Sequence, residues 1–409
     1  MATLSGNLCT GGTVLSYGTE QGGYEATKAF DGDSSTGCSI SGSDPVGIGY
    51  QFASPVNIRC IGVQRNNVGD ASFPYTLQYS DDGSSWNNTN IVNQSSIAYN
   101  YGKPFVYYNC NDYGAHAYWR LLRASGTAWL QFTEIQMFAG KVLPLSKDNH
   151  IASNTTTKNF GAATNIYLMS YTTPLYRYGL ISIDITGLTK VSQAILRLYC
   201  GYVNLMTGKS VNIQRFLYQD CEEGTGDNSG SDSMVSNYNQ YKTGTNWNTA
   251  GCNGSGTDYT TTHQKSLTIT GASAWHSIDI ADLLNDAITA GQTTLNLILR
   301  IADTSTNALE ITFNSRHNDN APLLEYELYN WTAGKVATLT SISKVMTLAT
   351  TAIKSVAGLV NILTTLYALK DNYMRQGIST YNWGNDANLV VDASTVRKIT
   401  QLSHTFKRV

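Results

Sequence analysis

The stretch YTLQYSDDGSSW, residues 75–86, combines a strand pattern with a turn pattern. Its first half is rich in aromatic and apolar residues, and SDDGSSW supplies the Asp, Gly and Ser residues that tight turns favour. Runs of five to eight residues with the same strand character recur on both sides, separated by turn sequences such as RNNVGD. They are GIGYQFA, IRCIGVQ, VYYNC, YWRLLRA and FTEIQMFA. Short strands at this spacing predict that residues 1–140 form a β-sandwich.

Four segments of this region resemble the discoidin, or coagulation-factor type C, family, whose microbial members are galactose-binding-like carbohydrate-binding modules. They occur in the order of the family and are ATKAFDGDSSTGC, YTLQYSDDGSSW, AYWRLLRA and FTEIQMF. Cys38 departs from the family pattern, which usually has Trp at this position. The resemblance implies a β-sandwich whose loops bind a glycan.

The loop AFDGDSST, residues 29–36, is a candidate cation site because carboxylate, hydroxyl and carbonyl oxygens are the ligands that Ca²⁺ prefers. Gly32 permits the sharp turn that such a loop needs. Composition alone favours a simpler interpretation, an Asx-turn capped by hydroxyls without a metal. The discoidin resemblance implies instead a structural Ca²⁺ that joins this loop to the last strand. The implied ligands are the carbonyls of Lys28, Asp33 and Thr133, the carboxylates of Asp31 and Glu134, and the carbonyl and hydroxyl of Thr36.

Sugar binding in such modules uses loops at one end of the sandwich, where an aromatic ring meets the apolar sugar face and polar groups meet the hydroxyls. Trp129 in SGTAWLQF is the candidate ring. The candidate neighbours are Arg65, Asn66, Tyr17 and Phe73. Ordinary loop packing explains each of these residues equally well.

Residues 141–330 predict a second β-sandwich. The strand-like segments are SQAILRLYCGYV, VNIQRFLY, TLNLILRIA, LEITFNSR and PLLEYELY, and ADLLNDAITAG is a helical pattern that ends at Gly291. With the landmarks ISIDITGL and TNWNTAG, this order resembles the DNRLRE-type module, a β-sandwich of surface-displayed and carbohydrate-active proteins. Residues 222–265 are polar and Gly-rich, which predicts a long excursion at one end of this sandwich. His276 in AWHSIDI is expected on the polar face of a strand.

The composition argues against several classes of function. The net charge of −2 provides no basic field for nucleic acid. The six histidines form no HExxH or HxH motif, and no GxSxG or P-loop occurs, so we expect no enzyme. No apolar run is long enough for a membrane span. The seven cysteines form no CxxC and are expected to be mostly free, buried thiols, although Cys9 could pair within the first domain.

The segment 331–409 has a different pattern, in which apolar residues alternate at spacings of three and four. This heptad seam predicts a helix that packs as a coiled coil. Its members are Leu339, Ile342, Met346, Ala349, Ile353, Val356, Val360, Leu363 and Tyr367, and a second apolar row is formed by Val345, Ala352, Leu359 and Leu366. A face this wide favours a trimer or a higher oligomer. Packing of the helix on its own domains is the alternative.

These features together predict a mainly β protein, with two consecutive jelly-roll sandwiches followed by a helical assembly segment. We interpret it as a bacteriophage virion protein, namely a head fibre, tail appendage or receptor-binding subunit. Because no signal peptide is visible, we expect synthesis in the host cytoplasm, assembly with itself and other virion proteins, and binding of a cell-surface or environmental glycan. Two alternatives remain: an accessory carbohydrate-binding protein of a glycan-degrading bacterium, and a glycoside-active enzyme.

The seam generates the first prediction. Ile353→Asp combined with Val360→Asp should convert an oligomer to monomers, because each carboxylate would be buried without a partner. Sedimentation of the full chain at micromolar concentration measures the change, and thermal melting should show that both sandwiches remain folded. A monomeric wild type whose double variant unfolds the sandwiches would assign the helix to the core of its own chain.

Overall fold

The computed structural model describes residues 4–42, 45–64, 75–92, 104–123, 129–172, 175–226 and 235–328. Strands dominate these ranges, which confirms the predicted mainly β fold class. No helix among these residues is long and apolar enough to cross a bilayer. The heptad seam at 339–367 and the candidate sugar contacts Arg65, Asn66 and Phe73 lie outside the described residues.

Strands β1–β11 and a 3-10 helix at Ala26–Ala29 build the first sandwich. A five-stranded sheet in the order β1-β4-β9-β6-β7 faces two three-stranded sheets, β11-β5-β8 and β10-β3-β2. The strands are β1 (Thr13–Tyr17), β2 (Thr19–Glu20), β3 (Cys38–Ser41), β4 (Gly47–Val56), β5 (Cys60–Gln64), β6 (Tyr75–Ser80), β7 (Asn87–Asn88), β8 (Val106–Asn109), β9 (His116–Arg123), β10 (Leu130–Phe132) and β11 (Glu134–Phe138).

The core of the first sandwich follows from the two-residue period of its strands. Trp119 and Leu121 on β9 are fully buried, whereas Tyr118 and Arg120 point to the outer face of the five-stranded sheet. Cys38 is also part of this core, so the departure from the family pattern is accommodated inside the sandwich. All seven cysteines are free and buried, as expected from their sequence spacing.

Strands β12–β24 and one helix build the second sandwich. Its large sheet runs β12-β24-β16-β23-β14-β15-β22-β17-β20, with β13 beside β15 and β21 beside β16. The elements are β12 (Lys141–Pro144), β13 (Lys147–Ala152), β14 (Asn165–Tyr171), β15 (Leu175–Asp184), β16 (Val191–Asn204), β17 (Ser210–Phe216), β18 (Gln240–Lys242), β19 (Thr245–Asn246), β20 (Tyr259–Thr268), β21 (Ala274–Asp279), α1 (Ala281–Thr289), β22 (Thr294–Ile301), β23 (Leu309–Asn314) and β24 (Leu323–Leu328).

Strand β16 organises the second sandwich because three other strands pair with it. β24 pairs with its first half and β23 with its second half, and β21 pairs along its other edge. β23 and β24 thus share one edge of β16, and the connection 315–322 between them leaves the sheet at that edge. The helix α1 packs its buried Leu283 and Leu284 into the core, at the position that the helical pattern predicts.

The sequence predicted that the Gly-rich excursion, residues 222–265, projects from one end of the sandwich, and the structure shows a different arrangement. Its described part packs on the outer face of the sheet, where Cys221, Trp247 and Cys252 contact Leu180 and Ile298. These two sheet residues alternate with inward residues of the main core, so both faces of the sheet are covered here. Buried Asp258 closes the excursion by accepting hydrogen bonds from the Tyr218 hydroxyl and three backbone amides. The error arose because a polar composition concealed a few large apolar anchors.

A buried carboxylate, Glu325 on β24, joins the two sandwiches. It is fully buried and accepts hydrogen bonds from Gly6 N at 3.0 Å and Gly140 N at 3.2 Å. Arg197 on β16 neutralises it through Nη2 at 2.7 Å and Nε at 3.2 Å. A Cβ at position 140 would lie 2.8 Å from Glu325 Cγ and 2.7 Å from Leu4, so only glycine permits this approach. The N-terminal segment, the domain boundary and the last strand thus meet at one charge.

Other contacts extend this joint on both sides of Glu325. Arg59 of the first sandwich bridges Asp112 at 3.1 Å and Glu327 of the second sandwich at 3.4 Å. The side-chain amide of Asn109 bonds both the N–H and the carbonyl of Val142, at 2.7 Å and 2.9 Å. A small apolar cluster joins Cys60 and Phe138 of the first sandwich to Val142 and Leu323 of the second. Residues 1–329 accordingly form one compact unit.

The joint generates the second prediction. Glu325→Gln should lower the free energy of unfolding by about 3–5 kcal/mol, because it leaves the guanidinium of Arg197 buried without its counter-charge. Chemical denaturation of the full chain measures the loss. Asp112→Asn is the matched control: its carboxylate is half exposed, so we expect a change of at most about 1 kcal/mol. Equal losses in both variants would contradict the central role of Glu325.

Candidate functional site

The loop 28–36 and the first residue of β11 bring together five of the six predicted cation-binding residues, namely all except Thr133. Thr36 Oγ1 lies 2.8 Å from the Asp31 carboxylate, 3.0 Å from the Asp33 carbonyl and 3.4 Å from the Lys28 carbonyl. Glu134 reaches the same loop from β11, where its Oε1 accepts a hydrogen bond from Gly32 N at 2.8 Å. Gly32 adopts φ = +79°, the left-handed conformation for which glycine is suited.

The carboxylate of Asp31 in this loop and that of Glu134 on β11 are close enough to repel each other. Burial raises the pKa of Glu134 to about 8, and the hydrogen bond and negative charge of Asp31 add to the increase. A cation between the two groups would remove this repulsion and restore the ionised form of Glu134. The Asp33 carboxylate instead turns to Ser35, whose hydroxyl and backbone N–H lower its pKa. Asp33 thus offers the loop its carbonyl rather than its side chain.

The donor set fits a hard cation. The donors from Lys28, Asp31, Asp33, Thr36 and Glu134 are all oxygen atoms, and two of them belong to carboxylates that approach each other. The Thr133 side chain is fully buried, and its hydroxyl has no hydrogen-bond partner in the described part of the chain. These features are compatible with Ca²⁺, whose function here would be to tie the loop to β11.

The same loop contacts the second sandwich, a feature that the sequence did not indicate. Ser34 Oγ donates a hydrogen bond to Asp319 Oδ2 at 2.8 Å. Gln64, which pairs with Glu134 across β5 and β11, donates to Asp319 Oδ1 at 3.0 Å. Asp319 lies in the connection 315–322, so the candidate cation loop is also part of the domain joint.

Two of the five candidate sugar contacts can be located, and they lie at the same end of the first sandwich. Trp129, which is 37% exposed, immediately precedes β10, and β10 pairs with the end of β3. Tyr17 is the last residue of β1 and pairs with Gly47 at the beginning of β4. The structure thus shows that Trp129 is exposed, and its role as a sugar contact stays a prediction.

Tyr17 belongs to a different cluster from Trp129. Its ring packs edge-on against Trp86 at 5.9 Å, and the guanidinium of Arg120 lies 3.9 Å from the Trp86 ring centre and 4.8 Å from that of Tyr17. Arg120 Nε also donates to Gln78 at 2.8 Å. This cluster covers the outer face of the five-stranded sheet, so Tyr17 is largely engaged in packing.

A second group of titratable residues lies where β13 meets the excursion. Arg316 binds both carboxylate oxygens of Glu223 at 2.6 Å, and His317 Nε2 lies 3.9 Å from one of them. Asp148 accepts the backbone N–H of Arg316, and burial raises the pKa of its carboxyl to about 7. The guanidinium of Arg316 already neutralises Glu223. This group therefore links β13, the excursion and the connection 315–322.

Sequence reasoning also missed the exposed aromatic residues of the second sandwich. Trp275 is 41% exposed and Tyr202 is 49% exposed. Trp275 was missed because His276 was expected on the polar face of β21. The structure shows the opposite: His276 is buried, and its Nε2 accepts a hydrogen bond from the backbone N–H of Thr270 at 3.1 Å and lies 3.2 Å from the Thr270 hydroxyl. The two-residue period then places Trp275 outward.

Two family models match parts of the chain. The F5/8 type C domain matches residues 13–107. Carbohydrate-binding module family 96 matches residues 217–327. The comparison with curated proteins gives no match.

Solved structures resemble about a third of the chain. One is chitosan-binding module 1 from a chitosanase/glucanase of Paenibacillus sp. IK-5, with 20% identity over 32% of this chain and 97% of that chain, and a TM-score of 0.27. Another is the F5/8 type C domain of a Bacteroides fragilis protein, with 14% identity over 33% of this chain and 95% of that chain, and a TM-score of 0.29. The family matches, rather than these structures, give the conclusion that the chain carries an N-terminal F5/8 type C domain followed by a carbohydrate-binding module.

Proposed function

We propose that the protein is a non-enzymatic glycan-binding adhesion protein. The observation that carries this proposal is the match of an F5/8 type C domain and of carbohydrate-binding module family 96 to separate parts of one chain. The exposed Trp129 at the loop end of the first sandwich supports it, since a rigid aromatic ring is suited to the apolar face of a sugar. The absence of any recognised catalytic motif in the sequence is compatible with binding alone.

A finer proposal is that these modules are displayed by a bacteriophage virion as part of a fibre, appendage or receptor-binding subunit. Its support is the apolar heptad seam at 339–367, which favours assembly into a trimer or higher oligomer. The order of the segments in 141–330 likewise supports a DNRLRE-type module. An accessory binding protein of a glycan-degrading bacterium would have the same sandwiches without the need for such a seam.

We also propose that a structural Ca²⁺ binds the loop 28–36 with Glu134. The support is the convergence of the Asp31 and Glu134 carboxylates with the hydroxyl of Thr36. The ion would stabilise the ionised pair and hold the loop in the position that lets Ser34 contact Asp319.

Calcium should stabilise the protein most at high pH. Without calcium, Glu134 has a folded-state pKa near 8 against an ordinary value of 4.5, so its contribution to stability is present below about pH 4.5 and is lost as the pH rises toward 8. Calcium removes this loss. The difference in melting temperature between calcium and EDTA should therefore grow as the pH increases from about 5 to about 8.

Variants of the loop sharpen this test. Asp31→Asn and Glu134→Gln should abolish the calcium effect, whereas Asp33→Asn should retain it because it preserves the backbone carbonyl. Identical melting of the wild type in calcium and in EDTA at every pH would contradict the metal site.

Glycan binding gives the fourth prediction. Trp129→Ala should weaken binding to the first sandwich roughly tenfold, corresponding to about 1.4 kcal/mol for the loss of one stacking ring. Trp129→Phe should retain most of the affinity. A glycan array followed by titration of the full chain measures both variants. If neither the array nor whole cells retain the wild-type protein, the adhesion function is wrong.

A further inference from the structure

Four aromatic residues share the outer face of β21, β16, β23 and β14, here called the aromatic face. Trp275 on β21 pairs with Tyr199 on β16, while Tyr202 on β16 and Tyr167 on β14 both pair with Thr312 on β23. The sequence neighbours Leu198, Phe313 and Leu168 point into the core. The four aromatic side chains and that of Thr312 therefore point away from it. Four adjacent strands span about 14 Å, which is wide enough for several linked sugars.

The ring of Trp275 is exposed but held in place. Tyr199 packs against it edge-on, with ring centres 5.5 Å apart and an angle of 75°. The next residue, His276, is buried and accepts a hydrogen bond from the backbone N–H of Thr270, which fixes the turn before β21. An aromatic ring that is already fixed loses little side-chain entropy when a ligand stacks on it.

The backbone at the edge of the aromatic face is strained in a way that exposes an apolar side chain. Leu205 adopts φ = +56°, which is unfavourable for a bulky residue, and is 54% exposed, while the next residue, Met206, is fully buried. Ser273, just before Trp275, also has a positive φ of 52°. Strained residues of this kind concentrate at functional sites. Leu205 and Ser273 flank the exposed rings of Tyr202 and Trp275, so backbone strain and ring exposure coincide on this face.

Polar groups accompany the rings at the spacing of the strands. Ser277 lies two residues from Trp275 on the same face, and its Oγ accepts a hydrogen bond from Arg197 Nη1 at 2.9 Å. Its hydroxyl hydrogen is therefore free to donate to a ligand. Gly201 is exposed, and a Cβ there would lie 3.5 Å from Thr312 Oγ1, so glycine avoids covering this half-buried hydroxyl.

The charges near the aromatic face are compensated. Arg197 is paired with Glu325 at 2.7 Å. Arg177 lies over the ring of Tyr167 at 4.4 Å and interacts with Glu310, to which the Tyr167 hydroxyl donates. A polyanion would need cations without partners. The combination of flat rings, hydroxyls and balanced charge matches an uncharged sugar polymer.

We propose that the aromatic face is a binding surface for a neutral polysaccharide chain, which lies across β21, β16, β23 and β14 with sugar rings stacked on Trp275 and Tyr202. This inference rests on the proposed glycan-binding function and assigns it a second surface, on the opposite module from Trp129. Ser277 and Thr312, which lies beside Gly201, would recognise the sugar hydroxyls between the stacked rings.

The test uses the full chain in affinity electrophoresis through gels that contain one polysaccharide each. The neutral probes are galactan, mannan, xylan and mixed-linkage glucan, and the charged probes are polygalacturonate, alginate and chitosan. The wild type should be retarded by at least one neutral probe. Trp275→Ala should weaken that retardation at least tenfold in apparent affinity, Trp275→Phe should retain most of it, and Tyr24→Ala, an equally exposed aromatic residue of the first sandwich, should have no effect. Thermal melting verifies that each variant is folded.

The outcomes separate this surface from the general function. If the wild type is retarded and Trp129→Ala abolishes the effect while Trp275→Ala does not, the aromatic face does not bind glycan, although the adhesion function stands. Retardation only by a charged polymer overturns the neutral-chain assignment. If Trp275→Ala changes the sedimentation of the protein but not its retardation, the face is a contact between copies of the chain. No retardation of the wild type by any probe contradicts the glycan-binding function itself.

Discussion

The buried pair of Glu325 and Arg197 determines how the two sandwiches are joined. A carboxylate without solvent is costly, and the guanidinium and two backbone amides compensate that cost only when three separate segments are in place. The N-terminal segment must reach Gly6, the first sandwich must end at Gly140, and β16 must lie beside β24. The ion pair therefore selects one arrangement of the two modules, and the aromatic face inherits its fixed position because Arg197 also bonds Ser277.

The sequence predicted the features that depend on local patterns. The strand character of YWRLLRA located β9, and the helical period located α1. The resemblance of AFDGDSST to a known loop named residues that the structure brings together. It failed where one position decides the direction of a whole strand. AWHSIDI is compatible with either face pointing inward, and only the hydrogen bonds of His276 to Thr270 show that the histidine is the buried one.

Long-range contacts were the other feature that the sequence could not give. Asp319 follows a turn-rich stretch and has no local pattern that indicates Ser34 or Gln64 as its partners. The same holds for Trp247 and Cys252, which anchor an otherwise polar excursion on Leu180 and Ile298. Periodicity reports the side of an element that is buried, but it does not report which distant element covers that side.

The contact of Ser34 with Asp319 has a consequence for how the modules bind an extended target. A joint that holds both modules rigidly makes the second attachment to the same target intramolecular, with a high effective concentration only where the spacing of the sugars matches that of the two surfaces. A looser joint would accept many spacings at lower avidity. The loop 28–36, which contacts Asp319 through Ser34, carries the candidate cation ligands. Calcium bound to this loop would stiffen the joint, so the calcium concentration would set the range of sugar spacings that both modules can bind together.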